Sequence, residues 1–317
     1  MSSRIALPMI PAALFGIVLG VAGLGFDWRS AHRAWGLPSA VGETILAIAA
    51  IIWAVLIVLY TAKCIFARDA ALVELGHPVQ CCFFGLIGVA TMLIAGAALP
   101  YSRAMAWVFF TPGALFTLGF ALWRTGLLWR GERDPGTTTA VLYLPAVAGS
   151  FVTAIVVSAL GYPDWGQLAF GAGLFSWIAI ESVLLHRLYT GAVMPAALRP
   201  TLGLQLAPPV VGAVAYLYVS GGAPDLAARA MLGYGLLQAL LLLRVLPWIT
   251  EQRFAASYWA FSFGVTALAN APLVMVIHGE TGAVAELAPV LFCAANLVVG
   301  LLAIRSLMLL PGSFRRN

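Results

Sequence analysis

Charge is what this chain has least of. Asp, Glu, Lys and Arg together make up 9% of its 317 residues, against about 25% in soluble domains. Hydrophobic residues make up 62%, and the mean hydropathy is +0.98. So few charges cannot cover a water-exposed surface, and a soluble globular protein is excluded. Cysteine is scarce too: Cys64, Cys81, Cys82 and Cys293 lie in or at the ends of apolar segments without CxxC spacing, which argues against a disulfide framework and a metal site. His32, His77, His186 and His278 share no ligand spacing either, so neither metal nor cofactor is expected. No nucleophile–base arrangement, glycine-rich phosphate loop or paired-carboxylate motif stands outside the apolar segments, and no connection is long enough for a soluble catalytic domain. Enzyme activity is not expected. The net charge of +5 does not imply nucleic acid, because the arginines are scattered between apolar runs in the manner of a membrane protein.

What the chain has instead is apolar runs of about twenty residues, the length a helix needs to cross ~30 Å of hydrocarbon. Lipid cannot hydrate a backbone, so only helices or a closed barrel span it, and runs of this length favour helices. Ten spans are predicted in a single membrane domain over 1–317: 8–26, 39–62, 78–99, 103–128, 143–161, 165–189, 201–219, 226–247, 257–277 and 285–309. Arg4 followed by the first run resembles a signal peptide, but the run is one of ten and lacks a persuasive cleavage site. With each Lys or Arg assigned to the nearer face, Arg29, Arg33, Arg103 and Arg229 fall on one side and the other 13 on the side holding both termini. The positive-inside rule then places both termini in the cytoplasm.

The connections after the odd-numbered spans are short, so each odd–even pair reads as an antiparallel hairpin. Odd spans begin at 8, 78, 143, 201 and 257, which suggests five tandem hairpins of similar length, all pointing the same way. Within these boundaries every Asp, Glu and Arg falls on an even span: Glu43, Arg103, Arg124, Glu181, Arg187, Arg229, Arg244, Glu286 and Arg305. The odd spans carry more prolines, which bend helices. An inner ring of bent, charge-free odd helices around a central pore, inside an outer ring of even helices, is the expected all-α architecture.

The ninth span opens with SYWAFSFGVTALA at 257–269. This string, together with LYLPAVAGSFVTA at 142–154, LGYPDWGQLAFGAGLFSWIAIESVLLHRL at 160–188, LRPTLGLQLAPPVVG at 198–212 and LGYGLLQALLLLRVLPWI at 232–249, resembles the tellurite-resistance/C4-dicarboxylate transporter family, in particular its bacterial TehA-type members. Plant slow-type anion channels are more distant relatives. FGIVLG at 15–20 and HPV at 77–79 extend the resemblance over essentially the whole chain, in the family's order. It implies five helical hairpins, a pore lined by the odd helices, a homotrimer in the bacterial inner membrane, and conduction of small anions. It also implies that the second aromatic of Phe261-Ser262-Phe263-Gly264 occludes the pore, which makes Phe263 the gate. Two departures from the family pattern stand out: Ser182 rather than proline after Glu181, and Ser150 rather than asparagine before Phe151.

Candidate pore-lining residues are Gly16, Gly20, Gly88, Gly149, Phe151, Gly212 and Gly264, although each glycine equally suits close helix packing. Glu181 lies deep within the sixth span and requires a partner; Arg244, Arg187, His186 and Gln205 are the candidates. A structural role for it is favoured over proton coupling. With no cation expected on the odd helices, selectivity among anions should be low. The rival function is a proton-coupled secondary transporter or exporter of tellurite or C4-dicarboxylates.

Overall fold

The computed structural model describes residues 10–313; Pro8, Arg4, Arg315 and Arg316 lie outside them. Among the described residues, ten helices are long and apolar enough to cross a membrane: Ala12–Trp35, Ser39–Phe66, Gln80–Ala98, Arg103–Leu128, Ala140–Ala159, Pro163–Thr190, Ala196–Val219, Leu226–Ile249, Ala256–Ile277 and Ala283–Leu309. The expected all-helical, ten-span class therefore holds, and most boundaries agree within a few residues.

The first span departs most from expectation. It continues past residue 26 to Trp35 and takes Asp27, Arg29 and Arg33 onto an odd helix, so the odd helices are not free of charge. Arg29 is tolerated because it is paired: it donates to Glu43 at 2.6 and 2.7 Å and to the Ala97 carbonyl at 2.9 Å. The helix ends at Gly36, whose φ of 72° is the left-handed cap that glycine adopts without strain, and whose amide bonds the His32 carbonyl at 2.9 Å.

A short polar helix over Arg68–Gly76 was not expected. It carries Glu74, which accepts from the Ala12 amide at 2.7 Å, the Tyr60 hydroxyl at 3.0 Å and Lys63 Nζ at 2.5 Å. Lys63 also donates to the Ile10 carbonyl at 2.9 Å. This buried pair fastens the start of the first span to the end of the second. Its residues are too few and too polar to register as an apolar run.

Burial separates two layers. In the five odd spans 61, 78, 67, 83 and 67% of the apolar stretch is buried, against 22 to 33% in the even spans. Each even span packs on the odd span before it and touches the next one. Odd spans contact one another in sequence, first to third, fifth, seventh and ninth, and the ninth packs back on the first. Even spans turn outward side chains such as Ile51, Val58, Leu122, Phe175 and Leu240, an apolar exterior suited to lipid and untenable in water.

Odd spans also differ in how they begin. Tight 3₁₀ turns cover Ala12–Leu14, Gln80–Phe84, Ala140–Leu142, Ala196–Leu206 and Ala256–Phe261, with a π-type turn at Leu144–Ala148, and the regular helix follows. Even spans are α-helical throughout. Pro11, Pro78, Pro145, Pro200, Pro208 and Pro209 lie in or beside the irregular starts; lacking an amide hydrogen, they free backbone carbonyls there.

Candidate functional site

Two cavities lie among the odd helices, each lined from all five of them. The smaller, about 40 Å³, faces their N-terminal halves and is almost wholly apolar, with Phe83, Tyr143, Phe151, Trp259 and Phe263 in its wall. The larger, about 350 Å³, faces their C-terminal halves and is more polar, with Asp27, Arg29, Ser30, Arg33, Thr266 and Asn270 in its wall. Phe263 and Val211 line both. Of these two, only Phe263 carries a ring with rotatable χ angles long enough to sweep a passage.

Local sequence fixes the position of Phe263. The 3₁₀ turn Ala256–Phe261 hands over to the regular helix at Ser262, and Ser262 Oγ donates to the Trp259 carbonyl at 2.7 Å across that junction. Trp259 Nε1 reaches Ser306 Oγ of the tenth span at 2.9 Å. Phe263 is thus the first turn's aromatic on a start anchored from both sides. Gly264 lets this turn close on the seventh span, since a Cβ there would stand 2.9 Å from Leu206 Cβ and 3.1 Å from the Ala207 nitrogen. Phe261 points elsewhere, its ring against Gly203.

The other expected pore residues divide. Gly16 and Phe151 line the smaller cavity. Gly20, Gly88, Gly212 and Gly264 line neither cavity and face neighbouring side chains: added Cβ atoms would stand 2.3 Å from Ser262 Oγ, 2.0 Å from Thr117 Oγ1, 3.1 Å from Phe151 Cζ and 2.9 Å from Leu206 Cβ. Gly149 meets Thr117 and, with Ser150, borders a lateral cleft among the fourth, fifth and sixth spans. Close packing is what these glycines do. Serine in place of asparagine at 150 consequently changes that cleft and not the axial cavities.

Glu181 is buried, and its partners come from four helices. Oε1 accepts from Gln205 at 3.0 Å, Tyr234 at 2.6 Å and Gln238 at 3.3 Å; Oε2 accepts from Trp177 at 3.0 Å and from the Tyr143 hydroxyl. Of the expected partners only Gln205 is among them; Arg244, Arg187 and His186 are not. All five donors are neutral, Gln205 as expected and no cation among them, and the site faces the smaller cavity only through Tyr143. Ser182 leaves the sixth span unbroken and donates to the Ala179 carbonyl at 2.9 Å.

Asp27, Arg29 and Arg33 are the charged cavity residues that sequence reasoning misses, because a first span ending at 26 stops short of them. A usable signal was present: Glu43 near the start of the second span can pair with Arg29 across a tight hairpin.

Residues 9–307 match the voltage-dependent anion channel family, SLAC1. The chain is 33% identical to the tellurite resistance protein TehA homolog of Haemophilus influenzae over 94% of its own length and 90% of that protein's. It is 22% identical to the S-type anion channel SLAH2 of Arabidopsis thaliana, and likewise to the guard cell S-type anion channel SLAC1 of the same plant, over 83% of its own length in each case. The chain spans about half the length of these two plant proteins, 52% and 49%. The extent of these matches, over nearly the whole chain, makes it a member of the SLAC1 voltage-dependent anion channel family.

Proposed function

We propose that this protein conducts small anions such as chloride and nitrate along the axis enclosed by its odd helices, and that the Phe263 ring closes the path. One observation carries this reading: Phe263 stands in the wall of both axial cavities, one apolar and one polar. A hydrated anion is stopped by an aromatic plug in a narrow apolar stretch, both sterically and by dewetting, and a rotamer change removes the plug. Arg29 and Arg33 supply positive potential at the larger cavity. Glu43 largely compensates the first of them, so discrimination among anions is weak. The arginine distribution supports an inner-membrane protein with both termini in the cytoplasm, which opens the larger cavity toward the opposite side. Family membership supports a homotrimer with one path per subunit.

The test is Phe263→Ala in planar bilayers. A constitutive current reversing at the anion equilibrium potential is expected where the parent is nearly silent. A variant that folds and inserts yet passes no current overturns the gate. The name of the Haemophilus relative, a tellurite resistance protein homolog, points to tellurite, and the rival reading is that this chain exports it with protons. Saturable, pH-driven uptake abolished by Glu181→Gln would support that rival.

A further inference from the structure

The axial cavities hold one group that conduction through a plugged pore does not explain. Asp27 is wholly buried on the first span and lies in the wall of the larger cavity; the Asn270 amide is beside it but is directed to Ser30 Oγ, and neither carboxyl oxygen is met at full hydrogen-bond geometry. Buried polar groups without partners are rare and call for a ligand or a function. The acid has two forms with opposite effects on an anion. Protonated, it offers an O–H donor; ionised, it is a negative charge in the path.

The surroundings favour an anion as the missing partner. Titratable or charged groups facing the cavity are Arg29 and Arg33 from the first span and Tyr218 from the seventh; the third, fifth and ninth spans contribute none. Arg29 is held by Glu43 of the second span at 2.6 Å. Arg33 forms no ion pair among the described residues. Asn270 donates to Ser30 Oγ at 3.1 Å, which leaves the Ser30 hydroxyl hydrogen available to a ligand.

We propose that the larger cavity contains a proton-dependent anion site. Protonated Asp27 and the Ser30 hydroxyl hydrogen-bond a small anion beneath the charge of Arg33, and ionised Asp27 rejects it. Anion binding on the ionised side therefore draws one proton from bulk water onto Asp27. This inference rests on the conduction reading for its physiological meaning, because the site lies on the proposed path, but binding itself can be measured without conduction.

The experiment is calorimetric titration of nitrate into the purified full-length protein between about pH 5 and 9, in buffers of different ionisation enthalpy. Above the pH at which Asp27 ionises, the apparent Kd for nitrate should rise about tenfold per pH unit, with one proton taken up per nitrate bound. Asp27→Asn, which keeps a donor and cannot ionise, should bind with no pH slope. Arg33→Gln, altering an exposed side chain, should weaken binding at every pH and keep the slope. The site is overturned if wild type shows no nitrate binding, no slope and no proton uptake, or if the slope survives in Asp27→Asn. Should Asp27→Asn fail to fold, the wild-type proton count and Arg33→Gln decide. Linked binding in a protein whose Phe263→Ala variant carries no current would sink the pore and leave the site standing; the reverse pair of results would do the opposite.

Discussion

At the scale of single residues, Asp27 and Glu181, the two buried acids on membrane-spanning helices among the described residues, are handled in contrasting ways. Glu181 accepts five hydrogen bonds from neutral donors on four helices, which ties those helices together at one point. Glu181→Gln keeps the shape but turns an N–H₂ toward donors, and should lower stability by roughly 3 kcal/mol, since several buried polar groups then lack partners. Thermal unfolding in detergent measures it. Need of a partner for Glu181 was legible from its depth, and Gln205 was among the candidates, but Tyr143, Tyr234 and Gln238 were not, because which face of the fifth and eighth spans turns inward is decided by packing. Asp27 escaped because hydropathy ends a helix where charge begins. Outside the membrane, Asp225 caps the eighth span: its Oδ1 accepts the Ala228 amide at 3.0 Å and its Oδ2 the Tyr216 hydroxyl. The Tyr216 bond, and after it that amide, hold its carboxyl below the usual carboxylate range. A depressed folded-state value means the stabilisation is present above the ordinary value of about 3.9 and is lost as pH falls through the depressed one. Asp225→Ala should therefore melt earlier than the parent at neutral pH, with the gap closing on acidification below the carboxylate range.

At the scale of elements, the glycines decide how closely the layers approach. Gly88 and Gly149 both sit against Thr117 of the fourth span, where added Cβ atoms would come within 2.0 Å of its side chain, and Gly88 would also stand 2.7 Å from the Gly113 carbonyl. Backbone cannot yield as a side-chain tip can, so Gly88→Ala should destabilise by about 1–3 kcal/mol through overpacking. At Gly16 the nearest atom to an added Cβ is Trp259 Cβ at 3.6 Å, an ordinary contact, and the residue lines the smaller cavity. Gly16→Ala, made together with Phe263→Ala, should leave the melting temperature near that of the single variant and reduce its current, because it narrows the path without straining the seam. Sequence could not separate these glycines, since the same residue serves both purposes and only the neighbour opposite distinguishes them. The ten spans were legible because lipid imposes length and hydropathy on each one. Their irregular starts were visible only as prolines: a proline marks freed carbonyls but does not say whether a 3₁₀ or a π turn takes them up.

At the scale of the whole molecule, layering follows from where charge and bulk were placed along the chain. Odd spans are two-thirds or more buried apart from the first at 61%, while even spans stay at or below 33%, so one set of helices solvates the other against lipid. The segregation of charge in the sequence runs along the same division, with Asp27, Arg29 and Arg33 of the first span and Arg199 at the start of the seventh as exceptions. The first span's charges face the larger cavity, whose lining also includes Thr266, whereas the smaller cavity is apolar, so the two cavities that share Phe263 and Val211 differ in chemistry. Orientation in the bilayer decides which solution meets which one. The arginine count assigns the loop after the sixth span to the cytoplasm and the loop after the seventh to the opposite side. Ala192 and Ala223 are exposed in these two loops. In a background with the exposed Cys64 and Cys293 replaced by alanine, Ala223→Cys should react with a membrane-impermeant maleimide in intact cells, and Ala192→Cys only after the cells are broken. The opposite pattern would turn the Asp27 cavity toward the cytoplasm and make internal, not external, protons the ones that act on anion binding.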